Sequence, residues 1–82
     1  MGQFSYTITD EIGLHARPAG TLVKMVKDCG GAVTISKGEK SADASRLMAI
    51  MGLGIRKGDE VVISSDDEEL LEKLKKFFED NL

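Results

Sequence analysis

Tryptophan is absent from this 82-residue chain, and histidine, proline, cysteine and tyrosine each occur once. With only three phenylalanines beside that tyrosine, the core has to be built of aliphatic side chains. A lone cysteine, Cys29, cannot close an internal disulfide, and no Cys/His cluster offers a metal cage. Cys29 is expected to be a small, half-buried apolar residue near a helix end. No apolar run approaches the length that spans a bilayer, and the N-terminus lacks the basic-then-apolar order of a secretory signal. These absences favour a cytoplasmic protein with no disulfide, no metal, no cofactor and no membrane insertion. A net charge of −3 gives no reason to expect nucleic acid as a partner.

A chain this short accommodates one hydrophobic core and not two, so residues 1–82 are read as a single domain. Charge is unevenly spread along it. From Ser64 onward there are seven acids and three lysines, whereas the preceding part has seven acids and eight bases. One end of the molecule is therefore acidic. The surroundings of His15 are mildly basic, which steers carboxylates or phosphates toward it.

Alternation of large apolar and small polar residues from Phe4 to Thr9 predicts a half-buried strand, which Asp10-Glu11-Ile12-Gly13 breaks. From Pro18, the spacing of Ala19, Leu22, Val23 and Val26 predicts an amphipathic helix, ended by Gly30-Gly31. Ala32–Ser36 is a second strand, and after a turn Ser41–Asp43 pairs back as a short third. Leu47–Met51 is too short for more than a stub of helix, for which Ser45 is the expected N-cap. Within it, Ile50 should be buried and Met48 exposed. Glu60–Ser64 is rich in β-branched residues and reads as the last strand. Ser65-Asp66-Asp67-Glu68 has the form of a capping box, and Leu70, Leu71, Leu74, Phe77 and Phe78 make the apolar stripe of a final helix. The order β-α-β-β-α-β-α predicts an α+β fold, one sheet with its helices on one face.

The sole histidine and sole proline lie together in Gly13-Leu14-His15-Ala16-Arg17-Pro18-Ala19-Gly20. Proline is favoured in a helix's first turn, where its missing N–H would be unpaired anyway. That places Ala16 near the N-cap and His15 just outside, beside backbone N–H groups that lack partners and readily bind an anion. Arg17 adds a fixed guanidinium charge. Gly13 lets the chain turn into the site, and Gly20 keeps the helix surface low. A neutral imidazole is a good nucleophile near neutral pH. If it attacks a phosphoryl group, the product carries negative charge into a site furnished with donors and needing no metal. A hydrolase would need a second acid or base and a pocket, and no second histidine exists to supply the former.

Gly13-Leu14-His15-Ala16-Arg17-Pro18-Ala19 resembles the active-site signature of HPr, the histidine phosphocarrier family of the bacterial sugar phosphotransferase system. Leu47–Gly54 resembles the family's second segment, Lys57-Gly58-Asp59 fits the turn after it, and the likeness runs from about Phe4 to the last helix. It implies an open-faced β-sandwich: a four-stranded antiparallel sheet with three helices on one face. It implies also that enzyme I passes a phosphoryl group to His15, which hands it from Nδ1 to the IIA domain of a sugar permease, with carbon-regulation proteins as further partners. Such a protein is a carrier with a phosphohistidine intermediate and not a free-standing enzyme. Arg17 would stabilise the phosphate, with Ala16, Arg17 and Pro18 forming the phosphate-binding turn. Leu47, Met48 and Met51, with Gly20, Thr21, Lys24 and Lys27 on the facing helix, would dock partners, and a monomer would keep that face free.

One position departs from the family. Many members place a regulatory serine where this chain has Arg46, which cannot accept phosphate, and Ser45 next door points elsewhere on a helix start. Arg46 itself is expected to favour acidic partners or the phosphorylated state of His15. Two alternatives stay open: an HPr-like regulatory binding module, and a carrier in a nitrogen-linked phosphotransferase branch.

Overall fold

The computed structural model describes residues 2–82. In chain order it contains β1 (Gly2–Thr7), α1 (Ala16–Cys29), β2 (Val33–Lys37), β3 (Lys40–Asp43), α2 (Leu47–Met51), β4 (Glu60–Ser65) and α3 (Glu68–Asn81). The four strands form one antiparallel sheet in the order β1-β4-β2-β3. The last strand is thus inserted between the first two, and β1 and β2, each antiparallel to it, run the same way. Pairing of β1 with β4 runs from Gly2 with Ser65 to Thr7 with Glu60. The first strand ends at Thr7 and not at Thr9, because Ile8 bonds to the Gly58-Asp59 turn ahead of β4 and Thr9 N–H turns to the Leu82 carbonyl.

Period-two burial sorts the sheet into two faces. Val33, Ile35, Val61 and Ile63 are buried toward the helices, while Gln3, Ser5 and Thr34 lie on the uncovered face. The helices meet them with stripes at helical spacing: Ala19, Leu22, Val23 and Val26 from α1, and Leu70, Leu71, Leu74 and Phe78 from α3. Phe78 packs edge-on against Phe4, Tyr6 and Phe77, with ring centroids 5.6–5.9 Å apart. Each fully buried aliphatic side chain stabilises the fold by about 1.5–3 kcal/mol relative to exposure. Among the described residues no helix is long and apolar enough to cross a membrane.

Three local expectations are corrected. Ser65 does not cap α3; it is the last residue of β4, where its hydroxyl donates to the Ala32 carbonyl at 2.8 Å and accepts from Asp67 N–H at 3.1 Å. Asp67 is the cap, its carboxylate accepting Leu70 N–H at 3.1 Å. Nor does Ser45 cap α2. The N-cap is Arg46, and the Ser45 hydroxyl and N–H both donate to Asp43 Oδ1, at 2.7 and 2.9 Å. Those two bonds, helped by the Arg46 charge, hold the Asp43 carboxyl below the usual carboxylate range. Cys29 is exposed and not half-buried, since the buried stripe of α1 ends at Val26.

The loop between α2 and β4 is clamped. Lys37 Nζ lies 3.0 Å from Asp59 Oδ2 and donates to the Gly54 carbonyl at 2.9 Å, while Asp59 Oδ2 also accepts Arg56 N–H at 2.8 Å. The Arg56 N–H first, then Lys37, holds the Asp59 carboxyl below its ordinary range. This loop is the floor on which the segment leading to His15 rests.

Candidate functional site

The approach to His15 is a tight loop. Asp10 Oδ1 accepts Ile12 N–H at 2.8 Å, and the Asp10 carbonyl accepts Gly13 N–H at 3.0 Å. Gly13 has φ +81°, and a Cβ there would stand 2.6 Å from the Ile55 carbonyl oxygen and 2.7 Å from Arg56 Cα. Only glycine satisfies both the left-handed backbone and that contact. Leu14, buried, then donates its N–H to the same Ile55 carbonyl at 3.2 Å, which pins the chain immediately before the imidazole.

His15 itself is the N-cap of α1, in extended conformation (φ −93°, ψ −178°), and Ala16 is the first helical residue. The expectation put the cap one residue later, near Ala16. The helix's first closing bond is Ala19 N–H to the His15 carbonyl at 3.0 Å. Ahead of it, Ala16 and Arg17 N–H have no protein partner among the described residues, and Pro18 has no N–H to give. No side chain caps this end, and its first turn contains no acid. The contrast with α3 is instructive: there Asp67 caps, and Glu68 and Glu69 fill the first turn. One helix brings its own negative charge to its positive end; the other leaves that end to be filled from outside.

An open cleft of about 630 Å³ lies at this helix start. His15, Arg17, Pro18 and Thr21 form one wall, with the Thr21 hydroxyl donating to the Arg17 carbonyl at 3.3 Å. Asp10 and Ile12 of the approach loop form a second wall, and Phe77 and Asn81 of α3 a third. Neither this cleft nor its last four lining residues is among the expectations drawn from sequence. Asp10 and Ile12 could have been found from their nearness in sequence to His15. Phe77 and Asn81 arrive only through the packing of α3, tied to the loop by Thr9 and Asp10 N–H donating to the Leu82 carbonyl.

The candidate docking residues divide. Ile50 is 1% exposed and part of the core, whereas Met48 is 80% exposed and Leu47 and Met51 are partly so. Arg46 is exposed, and α2 packs against α1, so both candidate docking segments belong to adjoining helices. Ile12, which lines the cleft with His15, is a further exposed apolar side chain, at 69%. Gly20 has open space above it, and Thr21, Lys24 and Lys27 are exposed. At about 1.5 Å rise per residue, Lys27 stands roughly 18 Å along the axis from His15, beyond a screening length of about 8–10 Å. It cannot hold a phosphate at His15, though it lies within the footprint of an ordinary protein interface.

Comparison with known proteins agrees with this geometry. A family model described as the PTS HPr component phosphorylation site matches residues 3–80. A phosphocarrier protein HPr from Mycoplasma capricolum is 39% identical over 66 residues, covering 80% of this chain and 74% of the relative. Another from Streptomyces coelicolor is 40% identical over 74 residues, covering 85% and 80% respectively. Among solved structures, a mycoplasma histidine-containing phosphocarrier protein superposes with a TM-score of 0.90 at 33% identity, covering 96% of this chain and 93% of that one.

Proposed function

The chain belongs to the HPr family of the phosphotransferase system, and from that premise we propose that it accepts a phosphoryl group on His15 from phosphorylated enzyme I and passes it to the IIA domain of sugar permeases. The observation that carries this reading is the composition of the helix start: an imidazole at an uncapped N-terminus, two partnerless amides, and Arg17 lining the same cleft. In the transfer the N–P bond to the donor imidazole breaks as one to His15 Nδ1 forms. The donor ring keeps the electron pair. Arg17 and the Ala16 and Arg17 amides then face the new negative charge. Nothing in the site is asked to cleave the phosphate with water. The protein is a carrier whose turnover needs partner proteins, working in the cytoplasm as a monomer.

Docking would use the exposed apolar side chains of α2 and of the approach loop, with Met48 adapting to differently shaped partners. Arg46, solvent-facing and beside Asp43, would favour acidic partner surfaces, with carbon-regulation proteins among those it could meet.

Incubation with enzyme I and phosphoenolpyruvate, followed by intact-mass measurement before and after acid treatment, tests the proposal. One acid-labile phosphoryl adduct should appear on the wild type and none on His15→Ala. Arg17→Ala should slow transfer about tenfold or more while melting like the wild type. An unmodified wild type in the presence of demonstrably charged enzyme I would overturn the carrier reading and leave a binding module.

A further inference from the structure

The cleft around His15 contains three side chains able to carry charge: Asp10, His15 and Arg17. An acid in a site that must receive a phosphoryl dianion is unexpected, and this one is built in. Asp10 Oδ1 accepts Ile12 N–H at 2.8 Å, its carbonyl accepts Gly13 N–H at 3.0 Å, and its own N–H donates to the Leu82 carbonyl at 2.7 Å. Held at three points, the residue is fixed in the wall of the cleft. Nor is its charge cancelled by contact. The ion pair found among the described residues joins Lys37 to Asp59, so Asp10 and Arg17 share the cleft without a direct bridge.

A carrier must bind its cargo loosely enough to give it up. Arg17 and the two open amides all pull on the phosphoryl group, and the first turn of α1 has no acid of its own to moderate them. We propose that Asp10 is the electrostatic counterweight of the site, repelling the phosphoryl dianion so that phospho-His15 stays a good donor. This rests on the phosphocarrier reading. Asp10 makes no bond to phosphorus and moves no proton. It raises the free energy of the loaded state while the phosphoryl group passes from one imidazole nitrogen to another. Repulsion between a carboxylate and a dianion that share a solvated cleft shifts such an equilibrium by about three- to tenfold.

Asp10→Asn removes the charge and keeps an oxygen that can accept Ile12 N–H, so the loop should survive. Purified phosphorylated enzyme I is mixed with wild type or variant, and the distribution of phosphate and the forward and return rates are followed at low and high salt. The variant should retain about three- to tenfold more phosphate at equilibrium, chiefly through slower return, and the difference should shrink as salt rises. Wild-type behaviour in both directions, or phosphate shifted toward enzyme I, would overturn the inference. So would a change in Asp10→Ala that Asp10→Asn does not share, since that marks a purely structural role for the loop. Should Asp10→Asn fail to fold, Asp10→Ser offers a hydroxyl acceptor for the same N–H and is read by the same criteria. A wild type that takes no phosphate sinks the carrier reading itself, whereas a working wild type matched by Asp10→Asn sinks this inference alone.

Discussion

Pro18 changes what the start of α1 can offer a ligand. A typical helix exposes several unpaired donors there, but proline removes one, and the Ala19 N–H is already bonded to His15. The remaining two, on Ala16 and Arg17, are adjacent and next to the imidazole. Gly13 has a comparable influence from the other side. Its positive φ and its closeness to Ile55 and Arg56 mean that Gly13→Ala must strain the backbone and lift the approach loop from its support. The variant should lose more than about 1 kcal/mol of stability, read from thermal or urea unfolding, and accept phosphate more slowly when assayed well below its melting point. A variant with wild-type stability and wild-type transfer would show that the loop tolerates displacement.

At the scale of elements, the clamp of Lys37, Asp59 and Gly54 links the end of β2 to the loop that supports Leu14. Because the folded Asp59 carboxyl is held below its ordinary value, its contribution to stability is present above the unfolded-state value of about pH 4 and fades as pH falls through the folded one. Asp59→Asn should therefore melt below the wild type near neutral pH, with the gap closing in acid; a gap independent of pH would refute the assignment. Element types and order were legible in the sequence because the period-two and helical spacings are strong here. Caps were not. Ser65, Asp66 and Asp67 are all good cap residues within one turn, and the choice among them is made by β4, which extends through Ser65 to pair with Gly2 and Val33. Ser45 was likewise drawn away by Asp43, two residues earlier, whose carboxylate competes for its hydroxyl.

For the whole molecule, packing of α3 under the approach loop brings Phe77 and Asn81 to the cleft, residues no local pattern connects with His15. The sequence motif located the nucleophile, but only tertiary structure shows the walls around it. The uneven distribution of charge has its counterpart here: acids fill the first turn of α3, while the start of α1 has none. Met48, being 80% exposed, contributes little to the core. Met48→Lys should change stability by less than about 0.5 kcal/mol yet slow phosphoryl exchange with partner proteins by about tenfold. Equal exchange rates would move the docking surface away from α2.

The central claim is that the bared amides beside the imidazole receive the phosphoryl group. The ¹H–¹⁵N spectrum of the protein before and after phosphorylation of His15 tests it directly. The Ala16 and Arg17 amide protons should move strongly downfield on taking up phosphate, with Ala19, already bonded within the helix, shifting far less. Phosphorylated His15 with those two amides unmoved would contradict the account.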